Sequence, residues 1–404
     1  MSTVAVQAAV GQLTGFTVAV TADRRRDELT ALLRRQGARV VGAPLVRIAP
    51  IEDDGALRGA TQRCLEAPLD YVVATTGVGW RGWMSAAEGW GLGNALRAAC
   101  AQAMVLSRGP KASGAVRASG LREAWSPESE ATDEVLAWLL EQPLEGKRIA
   151  LQEHGAPLTE FVAALREKGA EVIEVPVYRW LPPEDRGAAS RLVDSIIRRD
   201  VHAVTFTSAP AVTALLTAAG DDRRLPLLAA FSGVVEESNG LASDSSRARG
   251  DTATSAAPVS GGVLAACIGP VCARPFTQLS VPVVWPRRGR LGELARLVGS
   301  ELQRRGTRRF VARGTPITVQ GSAVLLPNDT IFLPPAPSRV LWALSERPGR
   351  VFSRGELLRR AWPNGQGDAR AVETAVARLR GCLGEHSWLV VTVTKRGYRL
   401  AVDT

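Results

Sequence analysis

The chain repeats one stretch of its own sequence at a constant offset of 132 residues. The segment LRRQGARVVGAPLVRIAPIEDD begins at Leu33, and LREKGAEVIEVPVYRWLPPEDR begins at Leu165. Each copy reads as a helix end stopped by a glycine, then a β-branched strand, then a short extended segment between two prolines. A fixed offset over many positions indicates a repeated structural unit. The sequence therefore predicts two related α/β lobes.

The same offset continues into a pair of hydroxyl-rich loops. The segment DYVVATTGVG matches HAVTFTSAPA, which places Thr75-Thr76 opposite Thr207-Ser208. Further on, SRGPKASGAV matches IGPVCARPF at an offset of 160, so the second copy carries 28 additional residues. Residues 233–262 are rich in Ser, Ala, Gly and Thr and have no aromatic residue. Such a segment cannot bury enough apolar surface to offset its ordering entropy, so we expect a disordered surface insertion there.

Composition limits the class of protein and the kinds of site. The 404 residues are 46% hydrophobic, and no apolar run is long enough to span a membrane. The amino-terminal segment lacks the order of a signal peptide. Five cysteines without a CxxC pair and only three histidines argue against a disulfide framework and against a metal site. We therefore expect a cytoplasmic protein without metal or cofactor.

The positive charge of the chain is concentrated at its carboxyl-terminal end. Residues 301–404 contain 17 Lys and Arg against 8 Asp and Glu, whereas the other 300 residues contain 33 against 32. A basic terminal domain beside a neutral body predicts nucleic acid as the partner of that end. A membrane surface is the weaker alternative, because these basic residues lie in segments that read as folded elements.

Strand and helix patterns alternate through the body, which predicts α/β lobes with doubly wound parallel sheets. The simplest topology places lobe A at residues 16–46 and 183–298 and inserts lobe B at residues 52–176. Two connecting strands would run near residues 46–48 and 177–180. Ligands bind beyond the carboxyl ends of parallel strands, so we expect the ligand in the cleft between the lobes.

Residues 13–300 resemble the uroporphyrinogen-III synthase family, which closes a linear tetrapyrrole while inverting one ring. The resemblance lies in the two hydroxyl pairs, in the IGPVCA stretch and in VPVYRW. It implies that loop hydroxyls and backbone amides hold the carboxylates of the substrate, and that the linker residue Tyr178 is catalytic. The substrate or effector residues that we predict are Thr76, Arg108, Gly109, Lys111, Tyr178, Thr207, Ser208, Gly269 and Cys272.

The residues alone do not reveal a reaction in this body. The sequence shows no paired carboxylates and no Cys-His or Ser-His arrangement, and we expect His154 and His202 to be ordinary surface or strand-edge residues. Arg108 and Lys111 suit a ligand rich in carboxylates, because cations and helix N-termini both favour anions. A solvated loop charge is an equally good reading of either residue.

The remaining segment reads as a small antiparallel sheet, three helices and a hairpin. Residues 304–309 are expected to link it to the body. Ser353 and Glu356 have the spacing of a capping box at the start of the second helix. The third helix, Ala369 to Leu383, has an apolar stripe and an opposite face that carries Arg370, Thr374 and Arg378.

Three motifs, PGRVFSRGELLRRAW, RAVETAVARLRGCL and VTVTKRGYRL, resemble the winged helix-turn-helix output domain of OmpR/PhoB-type response regulators over residues 308–403. The resemblance implies that the third helix reads the major groove of double-stranded DNA and that the hairpin is the wing. The residues that it places on DNA are Arg370, Thr374, Arg378, Arg380, Thr392, Thr394, Lys395, Arg396, Tyr398 and Trp362. We expect Arg370 and Arg378 to read guanine, because a guanidinium can bond two base acceptors at once, and the others to hold phosphates. Contact with RNA polymerase stays open.

The sequence therefore predicts a DNA-binding transcriptional regulator without a receiver domain, whose synthase-like body senses a tetrapyrrole or another anionic effector. The alternative is a working uroporphyrinogen-III synthase, a lyase of tetrapyrrole biosynthesis, that carries an appended DNA-binding domain. The candidate ligands are hydroxymethylbilane, which is the linear substrate, and uroporphyrinogen III.

Overall fold

The structure is a computed structural model that describes residues 11–50, 55–128, 130–155, 157–232, 252–254, 262–362 and 368–403. Residues 47–182 form one compact unit, and the other unit contains residues 1–46 and 183–404. Among the described residues, no helix is long and apolar enough to cross a membrane. In the same ranges, no group of three or more His, Cys, Asp or Glu side chains could hold a metal ion.

Lobe A is built on a six-stranded sheet of β1 (Thr17–Val20), β2 (Arg39–Gly42), β9 (Ala203–Phe206), β10 (Thr252–Thr254), β11 (Leu264–Cys267) and β12 (Val283–Pro286). The strand order in this sheet is β10-β12-β11-β9-β1-β2. Its helices are α1 (Arg26–Arg35), α8 (Ala188–Ile197), α9 (Ala209–Ser232), α10 (Pro270–Thr277) and α11 (Leu291–Gly306). Two apolar layers, one on each face, bury β1, β9 and β11 completely. Strands that are covered on both faces read as continuous apolar runs, which is the pattern in the sequence.

The predicted insertion is partly ordered. Residues 252–254 form β10, which pairs antiparallel with β12 at the edge of the sheet. The expectation of disorder throughout residues 233–262 is therefore wrong for this strand, because the edge of β12 offers backbone groups that an added strand can pair. Residues 233–251 and 255–261 lie outside the described residues.

Lobe B is built on four parallel strands, β4 (Tyr71–Ala74), β5 (Met104–Ser107), β6 (Arg148–Gln152) and β7 (Glu171–Val175). The strand order in this sheet is β5-β4-β6-β7. The helices are α2 (Gly55–Glu66), α3 (Gly77–Gly89), α4 (Gly93–Gln102), α5 (Pro110–Ala118), α6 (Thr132–Leu140) and α7 (Thr159–Glu167). Trp80 and Trp83 of α3 are completely buried and pack edge to face at 5.8 Å between ring centroids. The predicted α/β class with parallel sheets is confirmed.

The two proline-bounded segments pair with each other rather than with either parallel sheet. They form β3 (Arg47–Pro50) and β8 (Tyr178–Leu181), which run antiparallel with Pro50 opposite Tyr178. Proline cannot donate to a central ladder, so a separate two-stranded ribbon suits these sequences. The predicted pair of connecting strands lies slightly further along the chain than we expected.

The C-terminal domain has a four-stranded antiparallel sheet, three helices and a hairpin. The strands are β13 (Thr307–Ala312), β14 (Thr315–Gln320), β15 (Ala323–Leu325) and β16 (Thr330–Phe332), and the hairpin is β17 (Val390–Val393) with β18 (Gly397–Leu400). The helices are α12 (Pro335–Ser345), α13 (Arg354–Ala361) and α14 (Ala369–Leu383), followed by a 3-10 turn at Gly384–Leu389. This arrangement confirms the predicted winged helix-turn-helix fold.

Two local predictions for this domain have opposite outcomes. The capping box is present: Glu356 N donates to Ser353 Oγ at 3.2 Å, and Ser353 N donates to Glu356 Oε2 at 2.8 Å. Residues 304–309, however, are not a linker, because α11 continues to Gly306 and β13 begins at Thr307. Leu302, in the last turns of α11, is buried in the core of lobe A. The helix therefore leads directly from lobe A into the first strand of the C-terminal domain.

Candidate nucleic-acid interface and effector site

The third helix of the C-terminal domain presents the face that the sequence predicts. Its apolar stripe, which includes Val372 and Leu379, is completely buried. Arg370, Thr374 and Arg378 are exposed on the opposite face. The N-cap residue of the helix is Asp368, whose carboxylate accepts from Ala371 N at 2.8 Å. A fixed helix with exposed guanidinium groups on one face can enter the major groove and bond base edges.

The wing carries a second set of exposed polar groups. Its turn contains Lys395 in the left-handed region, with φ of 63°. The exposed residues of the wing, all of which the sequence predicts as DNA contacts, are Thr392, Thr394, Lys395 and Arg396. Phosphate contacts of this kind position a protein on the duplex without reading its sequence.

Three residues that the sequence assigns to DNA make contacts within the C-terminal domain itself. The guanidinium of Arg380 donates to Val390 O at 2.7 Å and to Thr392 Oγ1 at 2.7 Å, so it ties the third helix to the wing. Tyr398 is only 7% exposed and packs in the core of the domain. Trp362 is half-buried against the same core at the end of α13. Arg380 and Tyr398 therefore support the interface, and their contact with DNA stays a prediction.

Replacing Arg380 should therefore affect folding as well as DNA binding. Arg380→Ala removes the bonds to Val390 O and Thr392 and leaves a half-buried carbonyl unpaired. The free energy of unfolding of the domain should fall by about 1–2 kcal/mol. Denaturant unfolding followed by tryptophan fluorescence would measure the loss, with Arg396→Ala as the matched exposed control. Equal stability of the two variants would show that this tie does not hold the wing.

The sequence reasoning missed an ion pair beside the recognition face. Glu373 lies on the exposed face of α14, and Arg354 Nε at the start of α13 lies 2.8 Å from Glu373 Oε1. Both side chains are about half exposed, so the pair contributes little to stability. A carboxylate on a recognition helix can accept from the amino group of cytosine. The sequence motifs contain both residues, but the ion pair depends on the packing of α13 against α14.

In lobe B, hydroxyl groups and a buried amide meet at the carboxyl end of β4. Gln152 Nε2 donates to Thr75 Oγ1 at 3.1 Å and to Thr76 Oγ1 at 2.9 Å. Thr76 also caps α3 by accepting from Gly79 N at 3.1 Å, and Tyr178 Oη lies 3.4 Å from its hydroxyl. The Thr76 hydroxyl is thus held in place by three groups. The sequence did not predict Gln152, which is completely buried, as a member of this site.

Cationic groups lie at the neighbouring strand end. Arg108 follows β5, and burial lowers the pKa of its guanidinium, an effect that Tyr178 and Glu130 oppose. Gly109, which is buried, precedes α5, and Lys111 is exposed in the first turn of that helix. Burial and the charge of Arg108 lower the pKa of His154 to about 4, so its ring is neutral at pH 7. Cations together with a helix N-terminus favour an anionic ligand.

In lobe A, the predicted residues divide into two groups. Thr207, Ser208 and Gly269 are half-exposed and precede α9 and α10, at the carboxyl ends of β9 and β11. Cys272 is only 4% exposed and packs in the apolar core, where its thiol contacts that of Cys267. The side chain of Cys272 therefore packs in the core, and the assignment of this residue to the effector site stays a prediction.

A set of arginines at this edge of lobe A was missed. The segment after β12 contributes Arg288 and Arg290, and the segment after β1 contributes Arg24, and all three side chains are exposed. The first segment lies close to the loop after β11, since a Cβ on Gly289 would be 3.5 Å from Ile268 O. Two consecutive arginines follow this buried strand in the sequence. They could have been predicted at the ligand-binding edge of the sheet, because the carboxyl ends of parallel strands lie at the same edge.

Comparisons with known proteins agree with both parts of the fold. The family model "Uroporphyrinogen-III synthase HemD" matches residues 27–238, and the model "Transcriptional regulatory protein, C terminal" matches residues 328–400. The chain is similar to a mutant uroporphyrinogen III synthase from the extreme thermophile Thermus thermophilus, with 25% identity, a TM-score of 0.55 and coverage of 72% of this chain and 99% of that one.

Sequence relatives divide in the same way. The uncharacterized protein YjjA of Bacillus subtilis is 31% identical over 206 residues, which cover 50% of this chain and 74% of that protein. Transcriptional regulatory protein CseB of Streptomyces avermitilis is 38% identical over 85 residues, which cover 21% of this chain and 35% of that protein. Because the synthase model spans more than half of its length, the chain belongs to the uroporphyrinogen-III synthase family, and it is fused to an OmpR/PhoB-type DNA-binding domain.

Proposed function

We propose that this protein is a DNA-binding transcriptional regulator whose synthase-like body binds a carboxylate-rich tetrapyrrole, either hydroxymethylbilane or uroporphyrinogen III. The observation that carries the proposal is the exposed face of α14 with Arg370, Thr374 and Arg378, on a chain whose other part belongs to an enzyme family. Arginines on one face of a helix serve recognition of DNA, and they have no part in closing a tetrapyrrole. The synthase-like body then binds the effector that controls DNA binding.

The charges of the body support an anionic effector. In lobe B, Arg108 and Lys111 lie at the start of α5. In lobe A, Arg24, Arg288 and Arg290 are exposed after β1 and β12. Each of these groups follows the carboxyl end of a parallel strand, where α/β proteins bind ligands. In each lobe, such cationic groups can form charge-assisted hydrogen bonds with the carboxylates of a ligand.

Retained synthase activity is the second candidate function. The observation that favours it is the position of Tyr178 Oη, 3.4 Å from the Thr76 hydroxyl at a strand end of lobe B. The side chain of Tyr178 is only 7% exposed, however. A phenol that binds or reacts with the substrate has to touch it, so this degree of burial favours a packing role for Tyr178.

One experiment separates the two functions. The full-length protein would be incubated with hydroxymethylbilane, and the uroporphyrinogen isomers I and III would be resolved and quantified. A regulator without synthase activity binds the tetrapyrrole in calorimetry and leaves the spontaneous formation of isomer I unchanged. Rapid formation of isomer III would establish the enzyme. Absence of any heat of binding would exclude both functions and indicate a different effector.

Lys111 offers a direct test of the effector site. Lys111→Ala should weaken binding of uroporphyrinogen III at least several-fold, because a charge-assisted contact to a carboxylate is lost. The melting temperature should stay unchanged, since the side chain is exposed. Lys168→Ala, which changes an exposed lysine elsewhere in lobe B, is the matched control. Equal affinities of the two variants in calorimetry would remove Lys111 from the site.

A further inference from the structure

The C-terminal domain contacts lobe A through two interlocking turns. The lobe A turn, residues 12–16, lies against the domain turn, residues 320–323. Ser322 donates to Gly15 O through both its backbone nitrogen and its hydroxyl, each at 2.8 Å. Gly15 has φ of +85°, and a Cβ there would lie 2.3 Å from Gln320 O. Gly321 has φ of +54°, and its Cβ would lie 2.5 Å from Gly15 O. Any other residue at either position would force the turns apart.

A buried glutamine joins three segments at this contact. Gln320 is 3% exposed, and its Nε2 donates to Thr14 O at 2.8 Å. Its Oε1 accepts from Gln303 Nε2 at 2.8 Å, which ties in the end of α11. A buried amide that uses both its donor and its acceptor across a domain boundary fixes the boundary, because separation would leave these groups unpaired.

The burial pattern of the sheet confirms that lobe A covers this face. Gln320, Ala323 and Phe332 are cross-strand partners on the outer face, opposite the core of the C-terminal domain. Ala323 is completely buried by the lobe A turn, whereas Phe332 next to it is 63% exposed. The outer face of the sheet is therefore a docking surface, and part of lobe A occupies it.

A second contact lies on the first helix of the domain. Arg339 Nη1 donates to Arg198 O at 2.7 Å, and it lies 3.6 Å from Asp200 Oδ1. Asp200 also binds Arg198 Nε at 2.9 Å. Arg198 and Asp200 lie in the loop that leads into β9, so this contact holds a different part of lobe A from the first one.

Both contacts lie at the amino ends of neighbouring central strands. The lobe A turn leads directly into β1, and the loop of Arg198 leads into β9. Thr17 N donates to His202 Nδ1 at 3.0 Å, which joins the two strand starts. At the other end of β9 lie Thr207 and Ser208, two of the effector residues that the sequence predicts. Two rigid, adjacent strands thus run from the docking contacts to the effector edge of lobe A.

We propose that lobe A and the DNA-binding domain form one cooperative unit, and that the docking contacts transmit the state of lobe A to the recognition helix. The regulatory part of this inference rests on the proposed function, whereas the mechanical part does not. In this arrangement lobe A and the domain that contains the recognition helix open together. DNA bound at α14 therefore also stabilises β1 and β9 against opening.

Hydrogen exchange of the full-length protein tests the mechanical part without any tetrapyrrole. A random-sequence DNA duplex at low ionic strength is the probe, because phosphate contacts bind duplexes of any sequence there. DNA should slow exchange several-fold in β1 and β9 as well as in residues 307–403. In a Gln320→Leu, Arg339→Ala double variant, the slowing should be confined to residues 307–403.

Ser345→Ala is the matched control, because the Ser345 hydroxyl is buried but donates within its own helix, to Trp342 O at 2.8 Å. It should keep the protection of β1 and β9. Protection confined to residues 307–403 in the unaltered protein would overturn the cooperative unit. Protection of β1 and β9 that survives the double variant would overturn the role of these contacts. Lack of protection anywhere would contradict DNA binding itself, which is a separate failure.

Discussion

Arg378→Ala should abolish most of the preference of the protein for its operator over random DNA. The Arg378 side chain is exposed on the recognition face of α14, one helical turn from Thr374. A guanidinium that bonds O6 and N7 of guanine contributes about 1–3 kcal/mol of discrimination against other bases. Affinity for a mapped operator should fall about tenfold or more, while affinity for random DNA changes little. Titration of both duplexes, monitored by fluorescence anisotropy, would measure the difference.

The wing provides the control for this experiment. Lys395→Ala and Arg396→Ala remove exposed cations that we assign to phosphates. Each should weaken binding to operator and to random DNA alike, and each should reduce the slope of log affinity against log salt by about one unit. If Arg378→Ala bound the operator unchanged, α14 would not be the element that reads the bases.

Lobe A should lose stability as the pH falls from about 6.5 to about 4, because burial lowers the pKa of His202 to about 4. The neutral ring accepts from Thr17 N at 3.0 Å and packs edge to face on Phe16 at 5.3 Å. In the unfolded chain the ring takes up a proton near its ordinary pKa of 6.5. Between these values the unfolded state binds a proton that the native state does not, so the free energy of unfolding decreases. The loss approaches about 3 kcal/mol below pH 4.

Denaturant unfolding at a series of pH values would measure this effect. His202→Asn keeps an acceptor for Thr17 N but does not titrate, so its stability should depend less on pH over the same range. His386→Asn, which changes a histidine in the C-terminal domain, should keep the full dependence. An identical pH dependence of His202→Asn and the unaltered protein would show that another group causes the loss.

Local signals in the sequence predicted much of this fold. The repeat located both parallel sheets, since Gly37 and Gly169 end equivalent helices before equivalent strands. The spacing of Ser353 and Glu356 predicted a capping box that the structure contains. The third helix spans Ala369–Leu383, which are the bounds that the sequence predicts. Such features depend on residues a few positions apart, so they can be read from the chain directly.

Contacts between distant residues could not be predicted in this way. Gln320 donates a hydrogen bond to Thr14 O, which lies 306 positions away in the sequence. Neither segment contains a pattern that predicts this contact. A resemblance to a family also identifies candidate functional residues, but it does not show which other residues of the chain they contact. It assigned Arg380 and Tyr398 to DNA, whereas the former bonds the wing and the latter is buried. The arginines after β12 were visible in the sequence, but only the sheet order brings them beside Gly269.

We expect a tetrapyrrole that binds the synthase-like body to change the affinity of the DNA-binding domain for its operator. The most direct measurement is the affinity of the full-length protein for its operator with and without saturating uroporphyrinogen III under anaerobic conditions. We expect a change of about fivefold or more, in either direction, which corresponds to a coupling free energy of roughly 1 kcal/mol or more. Lys111→Ala should shift the ligand concentration that is needed without changing DNA affinity in its absence. Saturating ligand that leaves the affinity for DNA unchanged would contradict the account.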